Sequence, residues 1–301
     1  MVKDFLSLAD FSADEITQLL DLADQLKLQQ KTGTAHRLLE GKTLAMIFEK
    51  PSLRTRVTFQ TGMFQLGGYS VLIDTQLGAR ESVPDVARNL ERWVDGIMAR
   101  TFSHDHVVEL AQHAVVPVIN ALTDRLHPCQ ILADAQTLRE HKGGDWSSLK
   151  IAFVGDGNNV FNSWANFAAK LPVNLTLVCP KGYEPDETIW SESRQQAKGM
   201  LEATQDVEAG LRDADAVYTD VWASMGQEEE AEARERDFMP YQVNAQLMAL
   251  ARKDAVFMHC LPAHRGSEVT DGVMESAQSI VFDQAENRLH AQKAVLATLM
   301  K

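Results

Sequence analysis

Short apolar segments alternate with amphipathic segments along this chain, and that alternation restricts its fold more than any other feature. Strand-like runs separated by helical periodicity predict parallel strands with helices packed on both faces of the sheet. The predicted strands of the first half lie at about 43–48, 70–73, 96–99 and 116–120, with helices near 54–66, 82–94, 105–113 and 127–141. The predicted strands of the second half lie near 149–154, 174–179, 215–219, 255–258 and 279–282. The sequence therefore predicts an α/β fold with two parallel sheets, each flanked by helices.

A chain of 301 residues is long for one hydrophobic core, which favours two domains. The polar, glycine-containing segment 141–145 is typical of a linker. We predict a first domain over 1–140, completed by the C-terminal helix at 285–301, and a second domain over 141–284. Because open parallel sheets bind ligands beyond the carboxyl ends of their strands, the active site is expected in the cleft between the domains. The charged segment 227–237 is predicted to be a solvated loop.

Charge and cysteine content narrow the class of protein. Lysine and arginine number 29 against 42 aspartates and glutamates, giving a net charge of −13, which is unsuited to nucleic acid or an anionic membrane. Three cysteines (Cys129, Cys179 and Cys260) are expected to be free thiols in a reducing compartment. The N-terminus lacks the apolar core of a signal peptide, and no run of about 18 apolar residues occurs. We therefore predict a cytoplasmic protein.

Residues 47–68 predict an anion site. An apolar strand runs into Pro51, and a helix then begins within Ser52-Leu-Arg-Thr-Arg56. The unpaired N–H groups and the dipole make a helix N-terminus positive, and two guanidiniums with two hydroxyls added there suit a phosphate dianion. The alternative is a capping serine beside two solvated arginines. Since helix starts favour acidic residues, we adopt the anion-binding interpretation.

Two apparent nucleotide motifs are incomplete. Gly41-Lys42-Thr43 resembles the end of a P-loop, but His36 occupies the place of the first glycine, and a strand follows instead of a helix. Gly155-Asp-Gly157 follows a predicted strand, but Val160 replaces the third glycine of a dinucleotide fingerprint. Nucleotide binding is therefore not predicted.

Polar side chains follow six of the predicted strands at their carboxyl ends. They are Ser52 to Arg56, Arg100, His127 to Gln130, Asn158 with Asn159, Asp220 with Ser224, and His259 with Cys260. The first half supplies cationic and hydroxyl groups, which suit phosphate. In the second half Asp220 can pair with an ammonium group, and Asn159 can bind a carboxylate or an ammonium group. This layout predicts transfer of a phosphate-activated group to an amine.

Each of these residues has a simpler interpretation when taken alone. His127 can cap the helix beside it, Cys260 can be a small buried hydrophobe, and Asn158-Asn159 can form a turn. A zinc site that combines His127 and Cys260 with Cys129 and His259 lacks Cys-x-x-Cys or His-x-x-x-His spacing, so no metal is expected. Their joint placement is what favours a ligand site.

Four motifs, in family order and over nearly the whole chain, resemble the signatures of ornithine carbamoyltransferases. They are Ser52-Leu-Arg-Thr-Arg56, His127-Pro-Cys-Gln130, Asp220-Val-Trp-Ala-Ser-Met-Gly226 and His259-Cys-Leu-Pro262. The first two resemble carbamoyl-phosphate signatures shared with aspartate carbamoyltransferases, and the last two are specific to the ornithine branch. The resemblance implies that carbamoyl phosphate and L-ornithine give L-citrulline and phosphate without a cofactor, in arginine biosynthesis or, in reverse, in arginine breakdown.

The resemblance also implies roles for individual residues. Carbamoyl phosphate would be bound by Ser52, Leu53 through its backbone N–H, Arg54, Thr55, Arg100, His127, Gln130, Cys260, Leu261 and Arg288. L-ornithine would be bound by Asn159, Asp220, Ser224 and the backbone of Met225. Gln76 resembles a residue that reaches the carbamoyl phosphate site of a neighbouring subunit, and the family implies a homotrimer or a multiple of trimers.

These implied roles predict a mechanism with five catalytic residues. An amine such as that of ornithine, with a pKa of roughly 10 like lysine's, arrives protonated. Cys260 beside Asp220 would steer the amine and accept its proton. Arg100 and His127 would stabilise the oxyanion, and Arg54 would stabilise the departing phosphate.

Four alternatives stay open at the level of sequence. Aspartate as the amine substrate is disfavoured, because Asp220 would repel a dicarboxylate. N-acylated ornithine and putrescine are closer rivals, since pocket volume is not encoded in a motif. A non-catalytic anion-binding protein with the same fold is the fourth, and the intact residues Arg54, His127 and Cys260 argue against it.

Overall fold

The structure is a computed structural model that describes residues 3–223 and 230–301. The chain divides into two compact units, the first comprising Met1–Gln136 with Glu286–Lys301 and the second comprising Thr137–Ala285. Each unit contains a parallel sheet, so the predicted α/β class is confirmed. Within the described ranges, no helix combines the length and the apolar character that a membrane-spanning segment needs.

The first unit contains a four-stranded sheet with the order β2-β1-β3-β4. Its strands are β1 (Thr43–Phe48), β2 (Tyr69–Asp74), β3 (Gly96–Arg100) and β4 (Val118–Leu122). In the parallel register Thr43 lies opposite Tyr69, and Leu44 lies opposite Gly96. The interior strand β3 is buried along its whole length, whereas the edge strand β2 alternates between exposed and half-buried positions. The sheet therefore presents the ends of β1 and β3 side by side, where the predicted anion site begins.

Helices α1 to α5 and α12 surround or follow these strands. Their bounds are α1 Ala13–Lys31, α2 Leu53–Gln65, α3 Val83–Leu90, α4 His104–His113, α5 Pro128–Lys142 and α12 Val281–Leu299. A capping box opens α1: Ser12 accepts from the backbone of Glu15, and the Glu15 carboxylate accepts from the backbone of Ser12. Helix α2 buries Phe59, Met63 and the following Leu66, the stripe that its sequence spacing predicts.

The second unit contains a five-stranded parallel sheet with the order β7-β6-β5-β8-β9. Its strands are β5 (Lys150–Val154), β6 (Asn174–Val178), β7 (Leu201–Thr204), β8 (Ala216–Thr219) and β9 (Val256–His259). Its helices are α6 Asn159–Lys170, α7 Glu187–Gln196, α8 Val207–Leu211, α9 Ala231–Phe238, α10 Ala245–Met248 and α11 Asp271–Met274. Phe153 stacks on Tyr218 at 5.1 Å between ring centroids, and Trp164 packs edge-on against Tyr218. These rings fix β5 and β8, the two strands that carry Asn158 and Asp220 at their ends.

Two local predictions were wrong, and one strand was missed. The segment 279–282 is not a strand, because Ser279 makes a single bridge to Phe257 and helix α12 then begins at Val281. Strand β7 was not predicted: it is a four-residue edge strand whose middle residues are exposed, so it lacks an apolar run. Helix α9 replaces most of the solvated loop predicted over 227–237, whose first residues lie outside the described ranges.

Candidate active site

Ser52 shapes the start of α2 in the first unit. Its extended backbone and its hydroxyl, which accepts from the Thr55 backbone N–H at 3.3 Å, make it the N-cap residue. Leu53 therefore begins the helix with its side chain exposed, Arg54 is half-buried and Arg56 is exposed. The structure contains the cap of the simpler interpretation, but it also places Arg54 and Arg56 in different surroundings. The positive helix end and Arg54 together form one side of a candidate anion site.

Thr55 connects this helix to two buried arginines. Its hydroxyl oxygen accepts from Nη1 of Arg100 at 3.5 Å and from Nη2 of Arg288 at 3.3 Å. Arg100 is the last residue of β3, and Arg288 lies in α12. The other guanidinium nitrogen of Arg288, Nη1, donates to Oε1 of Gln130 in a short contact, and Gln130 in turn donates to Asp134 at 2.8 Å. A single guanidinium thus bridges α2 and α5.

His127 is buried within reach of the same charges. Burial lowers its pKa well below the usual value, and the positive charges of Arg288, Arg100 and Arg54 lower it further. The imidazole is therefore neutral at physiological pH and can donate one hydrogen bond without adding charge. We call Thr55, Arg100, His127, Gln130 and Arg288 the basic cluster. Buried guanidiniums around a neutral ring favour a compact, strongly negative ligand.

Two other predicted residues of the first unit lie outside this cluster. Gln76 is exposed in the loop after β2. Cys129, two residues after the motif histidine, is buried and donates to the backbone oxygen of Asn120 at 3.3 Å. Burial raises the pKa of Cys129 to about 12, so this thiol is structural and unreactive.

Sequence reasoning missed Glu49, which organises the loops beside the basic cluster. Its almost fully buried carboxylate accepts from the backbone N–H of Leu77 at 2.8 Å and from that of Phe102 at 2.7 Å. Leu77 follows Gln76, and Phe102 lies two residues after Arg100. One carboxylate thus fixes both loops. Only its position directly after a buried strand hinted at this role.

Asp220 is the centre of the site in the second unit. It follows β8, is 7% exposed and accepts from three donors. Cys260 Sγ lies 2.9 Å from Oδ1, the Val221 backbone N–H lies 2.8 Å from the same oxygen, and Asn158 Nδ2 lies 2.8 Å from Oδ2. We call Cys260 and Asp220 the thiol–carboxylate pair. A carboxylate held in this way can orient an ammonium group or take part in its deprotonation.

The structure distinguishes the two neighbouring asparagines. Asn158 caps α6, accepting from the backbone N–H groups of Val160 and Phe161, and it is also the residue that contacts Asp220. Asn159 is the first residue of α6 and is half-buried. The sequence placed both asparagines at the end of this strand and the family resemblance assigned the ligand contact to Asn159. The contact between Asn158 and Asp220 was not predicted, because it depends on how β5 and β8 pair. Ser224 and Met225 lie outside the described residues.

Arg234 anchors the charged segment to the body of the second unit. This arginine is 7% exposed, and its Nη1 donates to Oδ2 of Asp156 at 2.7 Å and to the backbone oxygen of Trp222 at 3.0 Å. Its Nε donates to Glu230 at 2.9 Å. Because Asp156 lies in the turn after β5, the ion pair connects α9 to the turn that presents Asn158. Burial raises the pKa of Asp156, and its bond to Arg234 opposes that shift.

Cys260 and Leu261 follow β9. The potential ligand atoms of Asp220, His259 and Cys260 lie within 4.8 Å of one another, close enough to surround a metal ion. Both ring nitrogens of His259 already have protein partners, however: the backbone N–H of Leu261 at 2.9 Å and Glu268 at 3.1 Å. The donor set therefore fits a hydrogen-bonded acid–thiol site better than an open metal site.

The two units together define a two-domain α/β protein with the basic cluster in one unit and the thiol–carboxylate pair in the other. Residues 3–140 match the family model for the carbamoyl-phosphate-binding domain of aspartate/ornithine carbamoyltransferases, and residues 147–299 match the model for the Asp/Orn-binding domain. The chain belongs to the aspartate/ornithine carbamoyltransferase family.

Its relatives are similar over their full length. An ornithine carbamoyltransferase of Thermococcus kodakarensis is 54% identical, with 99% of this chain and 96% of the relative covered. One of Pyrococcus furiosus, named anabolic, is 52% identical, with the same two coverages. A solved ornithine carbamoyltransferase structure from Pyrococcus furiosus matches with a TM-score of 0.96 and 52% identity, covering 99% of this chain and 97% of that one.

Proposed function

We propose that this protein transfers the carbamoyl group of carbamoyl phosphate to the side-chain amine of L-ornithine, giving L-citrulline and phosphate. The observation that carries the proposal is the basic cluster, in which one buried guanidinium joins Thr55 and Gln130 around a neutral His127. Relatives that are more than half identical over the whole chain are named for this reaction. The anabolic name of one relative supports the direction toward citrulline, in arginine biosynthesis.

Carbamoyl phosphate is assigned to residues 1–140 together with 285–301. Its phosphate lies at the α2 N-terminus, bound by Ser52, the backbone of Leu53, Arg54 and Thr55. The basic cluster binds the carbamoyl end, where guanidinium and imidazole N–H groups donate to the carbonyl oxygen and Gln130 contacts the amide. Cys260 and Leu261 complete the assigned contacts. Donors that are already fixed in the protein need little reorganisation as negative charge develops on the carbonyl oxygen.

L-ornithine is assigned to residues 141–284. Asp220 pairs with an ammonium group, and Asn159, Ser224 and the backbone of Met225 supply the remaining contacts. The acid–thiol arrangement suits a cationic amine, because Asp220 is a nearly buried carboxylate with Cys260 at 2.9 Å. A second carboxylate, as in aspartate, would raise the free energy of binding at this position.

The reaction then follows from these groups. The thiol–carboxylate pair orients the amine and takes up its proton, so that a neutral nitrogen attacks the carbonyl carbon. Arg100, His127 and Arg288 stabilise the oxyanion of the tetrahedral intermediate. As the intermediate collapses, the attacking nitrogen gives up its second proton to the departing phosphate oxygen and the C–O bond to phosphate breaks. Arg54 with the helix N-terminus stabilises the phosphate that leaves. No step needs a cofactor or a metal ion.

We further propose a homotrimer, or a multiple of trimers, in the cytoplasm. Support comes from exposed apolar side chains on α2 and the edge strand β2, namely Leu53, Val57, Phe64, Tyr69 and Val71. A neighbouring subunit on this face would bring its Gln76 to the carbamoyl phosphate site. Sedimentation velocity should show a trimer that Phe64→Glu dissociates and that Phe282→Glu, an equally polar change at another exposed phenylalanine, leaves intact. A monomeric parent protein would refute the proposal.

The decisive assay measures carbamoylated product from carbamoyl phosphate with L-ornithine, N-acetylornithine, putrescine and aspartate in parallel. Turnover with L-ornithine alone is expected. Preference for another amine would leave the carbamoyl phosphate site standing but refute the roles given to Asp220 and Asn159. No product with any amine, from folded protein, would refute catalysis and favour an anion-binding role.

A further inference from the structure

His259 has a buried environment that the mechanism above does not use. It is the last residue of β9, directly precedes Cys260 and is 0% exposed. Its backbone N–H donates to Oε1 of Gln284 at 3.0 Å, and the Gln284 amide donates to the hydroxyl of Tyr218 at 3.2 Å. The backbone at His259 is therefore held on the core side, and the chain that follows leaves the sheet from a fixed point.

The two ring nitrogens of His259 have opposite roles. Nδ1 lies 2.9 Å from the backbone nitrogen of Leu261, which is always a donor, so Nδ1 carries no proton. Nε2 lies 3.1 Å from Oε1 of Glu268 and must donate to it. The ring is thus neutral, with its proton on Nε2. Glu268 selects this tautomer because a carboxylate accepts and cannot donate.

The bond from Leu261 to Nδ1 stabilises an unusual backbone turn. Leu261 has φ of 58°, in the left-handed region that residues with a branched side chain seldom adopt. A side-chain acceptor that receives the N–H two residues later is the device by which asparagine and aspartate stabilise turns. Here His259 Nδ1 does the same. The turn therefore depends on a lone pair that Glu268 keeps available.

Glu268 is itself fixed at the far end of the loop. It is 0% exposed, and the same oxygen that accepts from His259 also accepts from the backbone N–H of His264. Its backbone oxygen accepts from the Val243 backbone N–H at 2.9 Å. The Glu268 carboxylate thus links the end of its own segment back to His259, where the segment begins. Cys260 is the first residue of that segment, and its sulfur meets Asp220 at 2.9 Å.

We propose that Glu268 and His259 are positioning residues that hold the Cys260 thiol against Asp220. Glu268 fixes the tautomer of His259, His259 fixes the turn at Leu261, and the turn aims the thiol. The kinetic consequence rests on the proposed carbamoyl transfer, but the geometry of the thiol does not. A measurement of thiol reactivity therefore tests the inference without reference to turnover.

Two substitutions of His259 separate its two contacts. His259→Asn places an amide oxygen where Nδ1 lies, so it can still accept from Leu261, but it loses Glu268. His259→Gln places its amide where Nε2 lies, so it can still donate to Glu268, but it leaves the Leu261 N–H without its acceptor. Each variant loses one buried hydrogen bond, so their thermal stabilities should fall by similar amounts.

The expected kinetics are asymmetric. A reacting group displaced by about 1 Å typically costs on the order of 100-fold in rate, so His259→Gln should lose about that factor in kcat. His259→Asn loses one hydrogen bond but keeps the acceptor for Leu261, so its kcat should stay within about tenfold of the parent. The KM for carbamoyl phosphate should be unchanged in both. Equal losses of kcat in the two variants would show that His259 only fills space.

Iodoacetamide alkylation of Cys260 supplies the second readout. Cys129 and Cys179 are buried, so labelling reports on Cys260, and Cys260→Ser provides the blank. A thiol released from a carboxylate ionises more readily, so His259→Gln should be alkylated several-fold faster than the parent, and His259→Asn should not. An unchanged rate in His259→Gln would overturn the proposal, even if the parent enzyme made no citrulline.

Substitutions of Glu268 keep the test valid if the histidine variants do not fold. Glu268→Gln retains an oxygen that accepts from both His259 and His264, so kcat and alkylation rate should match the parent. Glu268→Met has similar length but no acceptor, which frees the ring to take the other tautomer. It should behave like His259→Gln. Matching values for Glu268→Gln and Glu268→Met would refute the role of Glu268.

Discussion

Arg54 and Arg56 form a matched pair for testing the anion site, because both are arginines in the first turn of α2. Residues two apart on a helix point to nearly opposite sides. Arg54 is half-buried and contributes to the electrostatic environment of His127, whereas Arg56 is exposed. Replacing each by alanine changes the charge equally and places the residue with the best helix propensity at both positions. Only the distance from the bound phosphate should differ.

The expected sizes follow from charge separation and dielectric. A unit charge about 4 Å from Arg54, at an effective dielectric constant of about 20, gains about 4 kcal/mol. Fixing the arginine side chain costs up to about 2 kcal/mol, which leaves about 2 kcal/mol, or roughly 30-fold in carbamoyl phosphate affinity. Arg56 faces water, and at about 10 Å its interaction is about 0.4 kcal/mol before salt screening. Arg56→Ala should therefore change affinity by less than about twofold.

Isothermal titration with carbamoyl phosphate and with inorganic phosphate measures both affinities directly, and initial rates with L-ornithine give the effect on turnover. Arg54→Ala should weaken the binding of both anions, because both carry the phosphate group. Urea unfolding of the two variants should agree within about 0.5 kcal/mol, as is usual for surface substitutions. Equal losses of affinity for Arg54→Ala and Arg56→Ala would refute the assignment of the phosphate to the inner face of α2.

Three further predictions concern titration and packing. Because burial and then the neighbouring arginines lower the pKa of His127, its ring carbons should show no NMR titration between about pH 6 and 8, and a midpoint near 6.5 would contradict this. Burial also lowers the pKa of Lys293 to about 8. The unfolded chain keeps that proton to about pH 10.4, so between these values it binds more protons than the folded state. The free energy of unfolding, measured in urea relative to Lys293→Met, should therefore rise by at most about 3 kcal/mol across that window; a flat difference would refute the shift. Gly157→Ala would place a Cβ 2.4 Å from the Pro185 nitrogen and should cost about 1–3 kcal/mol of stability. Gly272→Ala, where the added carbon meets nothing within 4 Å, is the control, and an equal cost for both would rule out the clash.

Much of the fold was predictable because its signals are local. Apolar strands alternate with helices, and the caps at Ser12 and Ser52 act within a few residues of themselves, so periodicity and capping rules apply directly. The prediction of a strand at 279–282 was wrong because an apolar run does not reveal whether a neighbouring strand pairs with it. Here only Ser279 pairs, through a single bridge to Phe257. Strand β7 was missed for the opposite reason: its middle residues face solvent, so no apolar run marks it in the sequence.

The candidate site divides in the same way. The chain alone identified the residue types, from the arginine-containing start of α2 to Asp220 and Cys260, because each lies in a short motif with a recognisable chemistry. It did not identify Asn158, Arg234 or Glu268 as partners, since their contacts cross from one strand or helix to another. Arg234 shows this most clearly: its segment is polar and was assigned to solvent, yet Asp156 offsets the cost of its burial.

What the sequence determined by itself was therefore the α/β class, most of the strands, the start of α2 and the chemical groups available for catalysis. What only the tertiary structure decided was which of these groups meet: the arginine that joins Thr55 to Gln130, the lowered pKa of His127 and the turn that aims Cys260 at Asp220. The physical reason is the distance along the chain between the residues that interact. Caps and periodicity act over one or two helical turns, whereas desolvation and charge–charge interaction depend on residues distant in the chain that only folding brings within a few ångströms.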